Sequence, residues 1–323
     1  MRAVVCNEIG PVDRLAVEER PTPEPGPGQV RIEVRAAGMA YAEALQAAGR
    51  YQFPQTPPYT PGGECSGVVD AIGEGVEGWA IGDRVLAVCG TGGLASHVLV
   101  RPPQLIALPD GVDFARGATL SHGYGTAWFA LNRRTTVRPG EVMLVTGAGG
   151  GVGLAAIDVA RALGAEVIAV ASTPEKRALA MEAGAFAAID PTSEDVKIRA
   201  RELTDGKGLD LVYDVVGGDT AEAALRALRF DGRFIVIGFT AGIPRVPLNL
   251  VLLNNRTVVG VEWGGWVMRN FEENAAMLRE IVAAVGDGRL HPVAPTERPL
   301  EDAGAVMTDL LERRAVGKIV LCP

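Results

Sequence analysis

The sequence predicts an α/β protein in which a doubly wound parallel sheet is inserted into a β-rich domain. Three observations carry this expectation. Up to about residue 118, short apolar runs such as Gln29-Val30-Arg31-Ile32-Glu33-Val34 alternate with period two, and Gly and Pro punctuate between them. From about Glu141, apolar strands alternate with longer stretches of helical spacing. The second region opens on a strand that runs straight into a glycine cluster and then into a helix.

In the first region, the dense glycines of 62–82 suit a small barrel with tight corners. In the second, Met143-Leu144-Val145-Thr146, Val167-Ile168-Ala169-Val170, Leu209-Asp210-Leu211-Val212-Tyr213 and Phe234-Ile235-Val236-Ile237 read as strands. Residues 154–163, 175–183, 194–203 and 220–228 read as the helices between them. Near-continuous apolar strands separated by helices mean a parallel sheet covered on both faces. Residues 257–261 read as the last strand of that sheet, followed by helices at 272–285 and 300–311 and a closing strand at 318–321. The expected domains are therefore 1–118, the inserted 119–256, and a returning part, 257–323, that carries the edge of a dimer.

Composition removes several function classes. The 323 residues are 48% hydrophobic and 22% charged, enough for a sizeable core, and suggest two domains. A formal charge of −8 without any Lys- or Arg-rich block argues against coating nucleic acid or an anionic membrane. No apolar run is long enough to span a bilayer, and the N-terminus lacks the apolar stretch of a signal peptide. Cys6, Cys65, Cys89 and Cys322 are dispersed, with neither a disulfide framework nor a CxxC pair, so a reducing cytoplasm is expected. Small molecules and further copies of the chain are the expected partners.

The sharpest motif is Thr146-Gly147-Ala148-Gly149-Gly150-Gly151-Val152-Gly153-Leu154. Glycine permits the tight turn and a close approach of backbone N–H groups to a pyrophosphate, and the helix N-terminus adds a positive dipole end. Ala148, Gly150, Gly151, Val152 and Gly153 are thus candidate contacts of a dinucleotide. An NAD enzyme places Asp or Glu at the end of the next strand to hold the ribose 2′-OH. Here that strand ends in Ser172, with Lys176 and Arg177 close behind. A hydroxyl beside two cations suits a 2′-phosphate, which points to NADPH; the other reading of the cations is the solvated first turn of a helix.

These fragments, with Pro61-Gly62-Gly63-Glu64-Cys65-Ser66-Gly67, Ile81-Gly82-Asp83-Arg84-Val85, Gly123-Tyr124-Gly125-Thr126-Ala127, Gly238-Phe239 and Gly317-Lys318-Ile319-Val320-Leu321, resemble the medium-chain dehydrogenase/reductase superfamily. Within it the chain is similar to the zinc-free quinone oxidoreductases related to zeta-crystallin, over nearly its whole length. The resemblance implies a Rossmann domain inserted in a GroES-like, partly open barrel. It also implies a hydride donated by NADPH to a quinone. The zinc-containing alcohol dehydrogenases of the superfamily carry a His just before the glutamate that corresponds to Glu64, where this chain has Gly63. The ligand cysteine expected near Gly38 is absent as well, so no metal is expected.

The resemblance further implies that Ala40, Tyr41 and Glu43 line the substrate cleft, with Ala40 at a position where many relatives carry Asn. Tyr51 matches a family cleft tyrosine; it either hydrogen-bonds an acceptor oxygen or packs as a half-buried aromatic. Thr126 matches the contact to the nicotinamide ribose, and Phe239, Thr240 and Lys318 are further expected cofactor contacts. Trp263 and Trp266 either cap the cleft or pack, while His122 and Cys65 read as core residues. Two other functions stay open: reduction of a 2-alkenal, enone or enoyl thioester, and non-catalytic NADPH binding as a sensor or structural protein.

Overall fold

The alternating apolar residues of the first third fold as seven strands. They are β1 (Arg2–Val5), β2 (Ala16–Glu19), β3 (Val30–Met39), β4 (Glu64–Ile72), β5 (Arg84–Val88), β6 (His97–Val100) and β7 (Leu105–Ala107). Between β3 and β4 lies one short helix, α1 (Tyr41–Ala47). The computed structural model describes residues 1–323 and separates into two units. Unit 1 comprises Met1–His122, Asn270–Asp287 and Ala294–Pro323; unit 2 comprises Gly123–Arg269 and Gly288–Val293.

After α2 (Phe114–Gly117) and α3 (Gly125–Trp128), unit 2 builds its sheet from six strands. These are β8 (Val142–Thr146), β9 (Glu166–Val170), β10 (Ala187–Ile189), β11 (Leu209–Asp214), β12 (Leu228–Val236) and β13 (Thr257–Gly260). All pair in parallel, in the order β10-β9-β8-β11-β12-β13. The order reverses at β8, so the crevice beyond the C-terminal ends of β8 and β11 is where such a sheet binds ligands. The connecting helices are α4 (Gly151–Ala162), α5 (Pro174–Glu182), α6 (Val196–Glu202) and α7 (Gly218–Ala227). Two short helices, α8 (Leu248–Leu252) and α9 (Trp263–Val267), precede and follow β13.

Local sequence explains where these helices begin. Thr173 caps α5 by accepting from the Lys176 N–H, with Pro174 at the first helical position, and Asp195 caps α6 by accepting from the Ile198 N–H at 2.9 Å. Helix α4 starts at Gly151, before the expected 154, because the glycines of the turn themselves form its first turn. Buried Leu144, Ile168, Val212, Leu225 and Phe234 form the core between sheet and helices. Each such side chain contributes roughly 1.5–3 kcal/mol.

The chain then returns to unit 1 through α10 (Phe271–Gly286), β14 (Thr296–Pro299), α11 (Ala303–Leu311) and β15 (Ile319–Cys322). The unit 1 sheet has the order β14-β15-β3-β4-β5-β7, with β6 also pairing β3. Its core joins Ile32, Val69, Val85 and Leu94 from the first third to Leu300, Met307 and Leu321 from the end of the chain. The insertion is therefore of the expected kind, while the boundaries move. Unit 2 begins at Gly123 and runs to Arg269 rather than stopping at 256, because β13 pairs with β12 inside the parallel sheet.

Candidate active site

In unit 2 the glycine turn closes the C-terminal end of β8. Gly147 has φ +63°, the Ala148 N–H donates to Val170 O at 3.2 Å, and the Gly150 N–H donates to Gly147 O at 3.1 Å. A Cβ at Gly153 would strike the Gly147 carbonyl oxygen and lie 2.8 Å from Ala148 Cα, so only glycine lets α4 start this close to the strand. No side chain caps α4, which leaves the N–H groups of its first turn to an anion. A Cβ at Gly149 would lie 2.6 Å from Lys176 Cγ, so the Lys176 stem rests against this turn.

The floor of the crevice is a hydrogen-bonded pair at the ends of two central strands. The Thr146 hydroxyl donates to Asp214 Oδ1 at 2.5 Å and accepts from the Val215 and Val216 N–H groups at 3.0 and 3.3 Å. Burial pushes the Asp214 carboxyl above its ordinary pKa, opposed by the Thr146 hydroxyl and the Gly217 and Val216 amides. The segment after β12 laces onto this loop, with the Ala241 N–H donating to Val216 O at 2.8 Å, and leaves Phe239 exposed and Thr240 half-buried.

Ser172 is exposed at the end of β9, beside the cap of α5. Arg177, an expected phosphate contact, is engaged within the protein. Its Nη1 donates to Ala171 O at 3.0 Å and pairs with Asp190 at 3.0 Å, because Asp190 follows β10, the neighbour of β9. Thr126 is half-buried on α3. Just before it, a Cβ at Gly123 would lie 3.3 Å from Gly151 O, so the helical stretch containing both lies against the start of α4. Trp263 packs on Gly125, whose Cβ would lie 3.0 Å from its ring, and Trp266 packs on Phe129 with centroids 4.7 Å apart.

In unit 1 the turn from β3 into α1 carries the expected substrate residues. Ala40 and Tyr41 are half-buried, whereas Glu43 turns inward and is 3% exposed. Its carboxylate accepts from the Ala40 N–H at 2.9 Å and the Gly63 N–H at 3.1 Å, tying α1 to the segment before β4. Glu43 thus shapes the turn from below instead of presenting an open carboxylate. Tyr51 is half-buried and meets Phe53 edge-on, with centroids 5.8 Å apart.

Lys318, an expected cofactor contact, has a buried partner. It lies in unit 1, and its Nζ is 2.7 Å from Glu64 Oε1. Glu64 is fully buried on β4 and accepts the His122 backbone N–H at 2.8 Å through its other oxygen. Glycine makes the room: a Cβ at Gly38 would lie 2.5 Å from Glu64 Oε1, and one at Gly63 would lie 2.9 Å from His122 Cε1. A charged residue inside an apolar strand was the available signal for this cluster, but its partners lie 58 and 254 residues away. Cys65 and Cys89 sit together with sulfurs 3.4 Å apart. The hydrogen bond shared with Cys89, together with burial, holds the Cys65 thiol well above its ordinary pKa.

Two family models match the chain: Alcohol dehydrogenase GroES-like domain over residues 26–110, and Zinc-binding dehydrogenase over residues 151–282. Quinone oxidoreductase-like protein 2 of Bos taurus is 37% identical over 323 residues, which cover 99% of this chain and 92% of that protein. Quinone oxidoreductase of Pseudomonas aeruginosa is 36% identical over 304 residues, 93% of each chain. The crystal structure of Escherichia coli quinone oxidoreductase complexed with NADPH matches with a TM-score of 0.89 and 28% identity, covering 100% of both chains.

Proposed function

Because this chain belongs to the quinone oxidoreductase family of the medium-chain dehydrogenase/reductase superfamily, we propose that it is an NADPH-dependent, zinc-independent reductase of quinone-type acceptors. The observation that carries the reading is the glycine turn, a cradle that a Cβ at Gly149 or Gly153 would fill, with the Lys176 stem lying on it. Bound NADPH supplies a hydride from its nicotinamide. The turn Ala148 to Gly153 and the first turn of α4 hold the pyrophosphate, and Ser172 and Lys176 hold the 2′-phosphate. Arg177 supports that site through Asp190 and the Ala171 carbonyl. Thr126, Phe239 and Thr240 contact the nicotinamide end.

A catalytic zinc does not fit the residues present. Gly63 offers no ligand, 36–40 contains no cysteine, and Glu64 is engaged by Lys318 and the His122 amide. A quinone suits such a site, since hydride addition yields a delocalised hydroquinone anion that needs little Lewis-acid help. Ala40, Tyr41 and Tyr51 form the acceptor surface on unit 1. The test is loss of NADPH absorbance with benzoquinone, phenanthrenequinone and an alkyl vinyl ketone in parallel. Turnover of the quinones is expected; turnover of the ketone alone would move the protein to enone reduction, and tight NADPH binding without turnover would make it a non-catalytic binder. In the same assay Lys176→Ala should weaken NADPH about tenfold, the loss of one charge-assisted contact, and leave NADH nearly unchanged. Equal effects on both cofactors would overturn the 2′-phosphate assignment.

The working form is a homodimer in the cytoplasm. Strand β13 is the open edge of its sheet, Val258 on it is 41% exposed, and Leu248, Leu252 and Leu253 are exposed in and after α8 just before it. An unpaired edge flanked by apolar side chains supports pairing with a second copy. Sedimentation velocity should find twice the chain mass; a monomer at micromolar concentration would refute the dimer. The four free thiols agree with a reducing compartment, and no helix is long and apolar enough to cross a membrane.

A further inference from the structure

We infer that His122 delivers the proton that accompanies the hydride to the acceptor, with Glu43 and Glu64 holding its imidazole in place. The inference rests on the acceptor reading above, because it is the Ala40–Tyr41 turn that brings a substrate near this histidine.

The geometry is a carboxylate pair around one ring. His122 Nδ1 lies 4.0 Å from Glu43 Oε1 and 4.0 Å from Glu64 Oε1, two acids that come from α1 and β4. Those side chains are 3% and 0% exposed, and Lys318, which pairs with Glu64, is 10% exposed; the imidazole, at 27%, is the member of the cluster that reaches solvent. The main chain is fixed as well, since the His122 N–H donates to Glu64 at 2.8 Å. Gly63 gives the ring its space, and Glu43 reaches the backbone of Ala40, the residue whose methyl offers an acceptor oxygen no hydrogen bond. A proton donor is therefore held beside a turn whose Ala40 side chain supplies none.

The chemistry balances without any further reagent. The hydride brings two electrons and one hydrogen nucleus to the quinone, which becomes a hydroquinone anion. With Nδ1 turned to the carboxylates, the imidazolium gives the proton from Nε2 to the phenolate oxygen. This yields the neutral hydroquinone and a neutral imidazole, which takes a new proton from water. For an enone the same step protonates an enolate, a far stronger base than a hydroquinone anion, so dependence on the donor is larger there.

The groups facing His122 are Glu43 on α1, Glu64 on β4 and, behind Glu64, Lys318 just before β15. The test compares His122→Gln and His122→Ala with the wild type, using benzoquinone and an alkyl vinyl ketone. General acid catalysis is worth about 10²–10⁴-fold, so kcat for the ketone should fall about 100-fold and kcat for benzoquinone by less than tenfold. NADPH affinity should be unchanged. Added imidazole should restore turnover of His122→Ala, a rescue that a packing role would not allow. Variants that turn over both acceptors like the wild type, or lose both equally with no rescue, would overturn the proton-delivery role while leaving the reductase reading intact. A wild-type protein that reduces neither acceptor would overturn the reductase reading itself, and this inference with it.

Discussion

Lys318→Met should be among the most destabilising single substitutions in unit 1. It strips the cation from Glu64, a carboxylate that is 0% exposed and 2.7 Å from the ammonium. Removing one partner of a buried pair typically costs about 3–5 kcal/mol, because the charge that remains is buried without the cation that paired with it. The double variant Glu64→Gln with Lys318→Met removes both charges and should recover most of that loss. Urea unfolding of the single and double variants measures it. The same experiment separates two readings of Lys318: as an internal counter-ion it affects stability with NADPH affinity nearly unchanged, whereas a cofactor contact would do the reverse. A single variant as stable as the wild type would show that the pair is not structural.

Gly153→Ala should cripple cofactor binding. The added Cβ meets backbone, the Gly147 carbonyl oxygen and Ala148 Cα, so no side chain can rotate away to relieve it. Forcing atoms into such a site costs about 1–3 kcal/mol, which at about 1.4 kcal/mol per factor of ten predicts NADPH binding weakened roughly 10- to 100-fold. Fluorescence titration of bound NADPH measures the change. Unit 1 does not contain this turn and should keep its own unfolding transition. Wild-type affinity in Gly153→Ala would mean that the pyrophosphate does not sit at this turn.

The features legible in the sequence are those whose cause is local. Helix α5 begins one residue before the expected 175, where Thr173 and Pro174 are adjacent and act on the turn they begin. The glycine turn could be read because its need for Gly147 and Gly153 arises within seven residues. Helix α4 starts three residues before the expected 154, since glycine's poor intrinsic helix propensity argues against a helix that packing and the strand before it impose. Arg177 follows Lys176 and reads as a phosphate ligand, whereas its pairing with Asp190 on the next loop is not legible in the sequence.

The sequence by itself determined the α/β class, the insertion of a parallel sheet into a β-rich domain, the strand–glycine–helix turn at 146–153 and the glycine that stands before Glu64. Each of these follows from periodicity, from glycine's backbone freedom or from residue types, which short stretches of chain contain. Only the tertiary structure decided that Glu43 and Glu64 are buried around His122, that Lys318 serves Glu64, and that Thr146 meets Asp214. The physical reason is that a buried charge or hydroxyl requires a partner but not one at any particular separation in sequence. Only the fold brings residue 318 to residue 64, and the sheet register alone sets Thr146 beside Asp214.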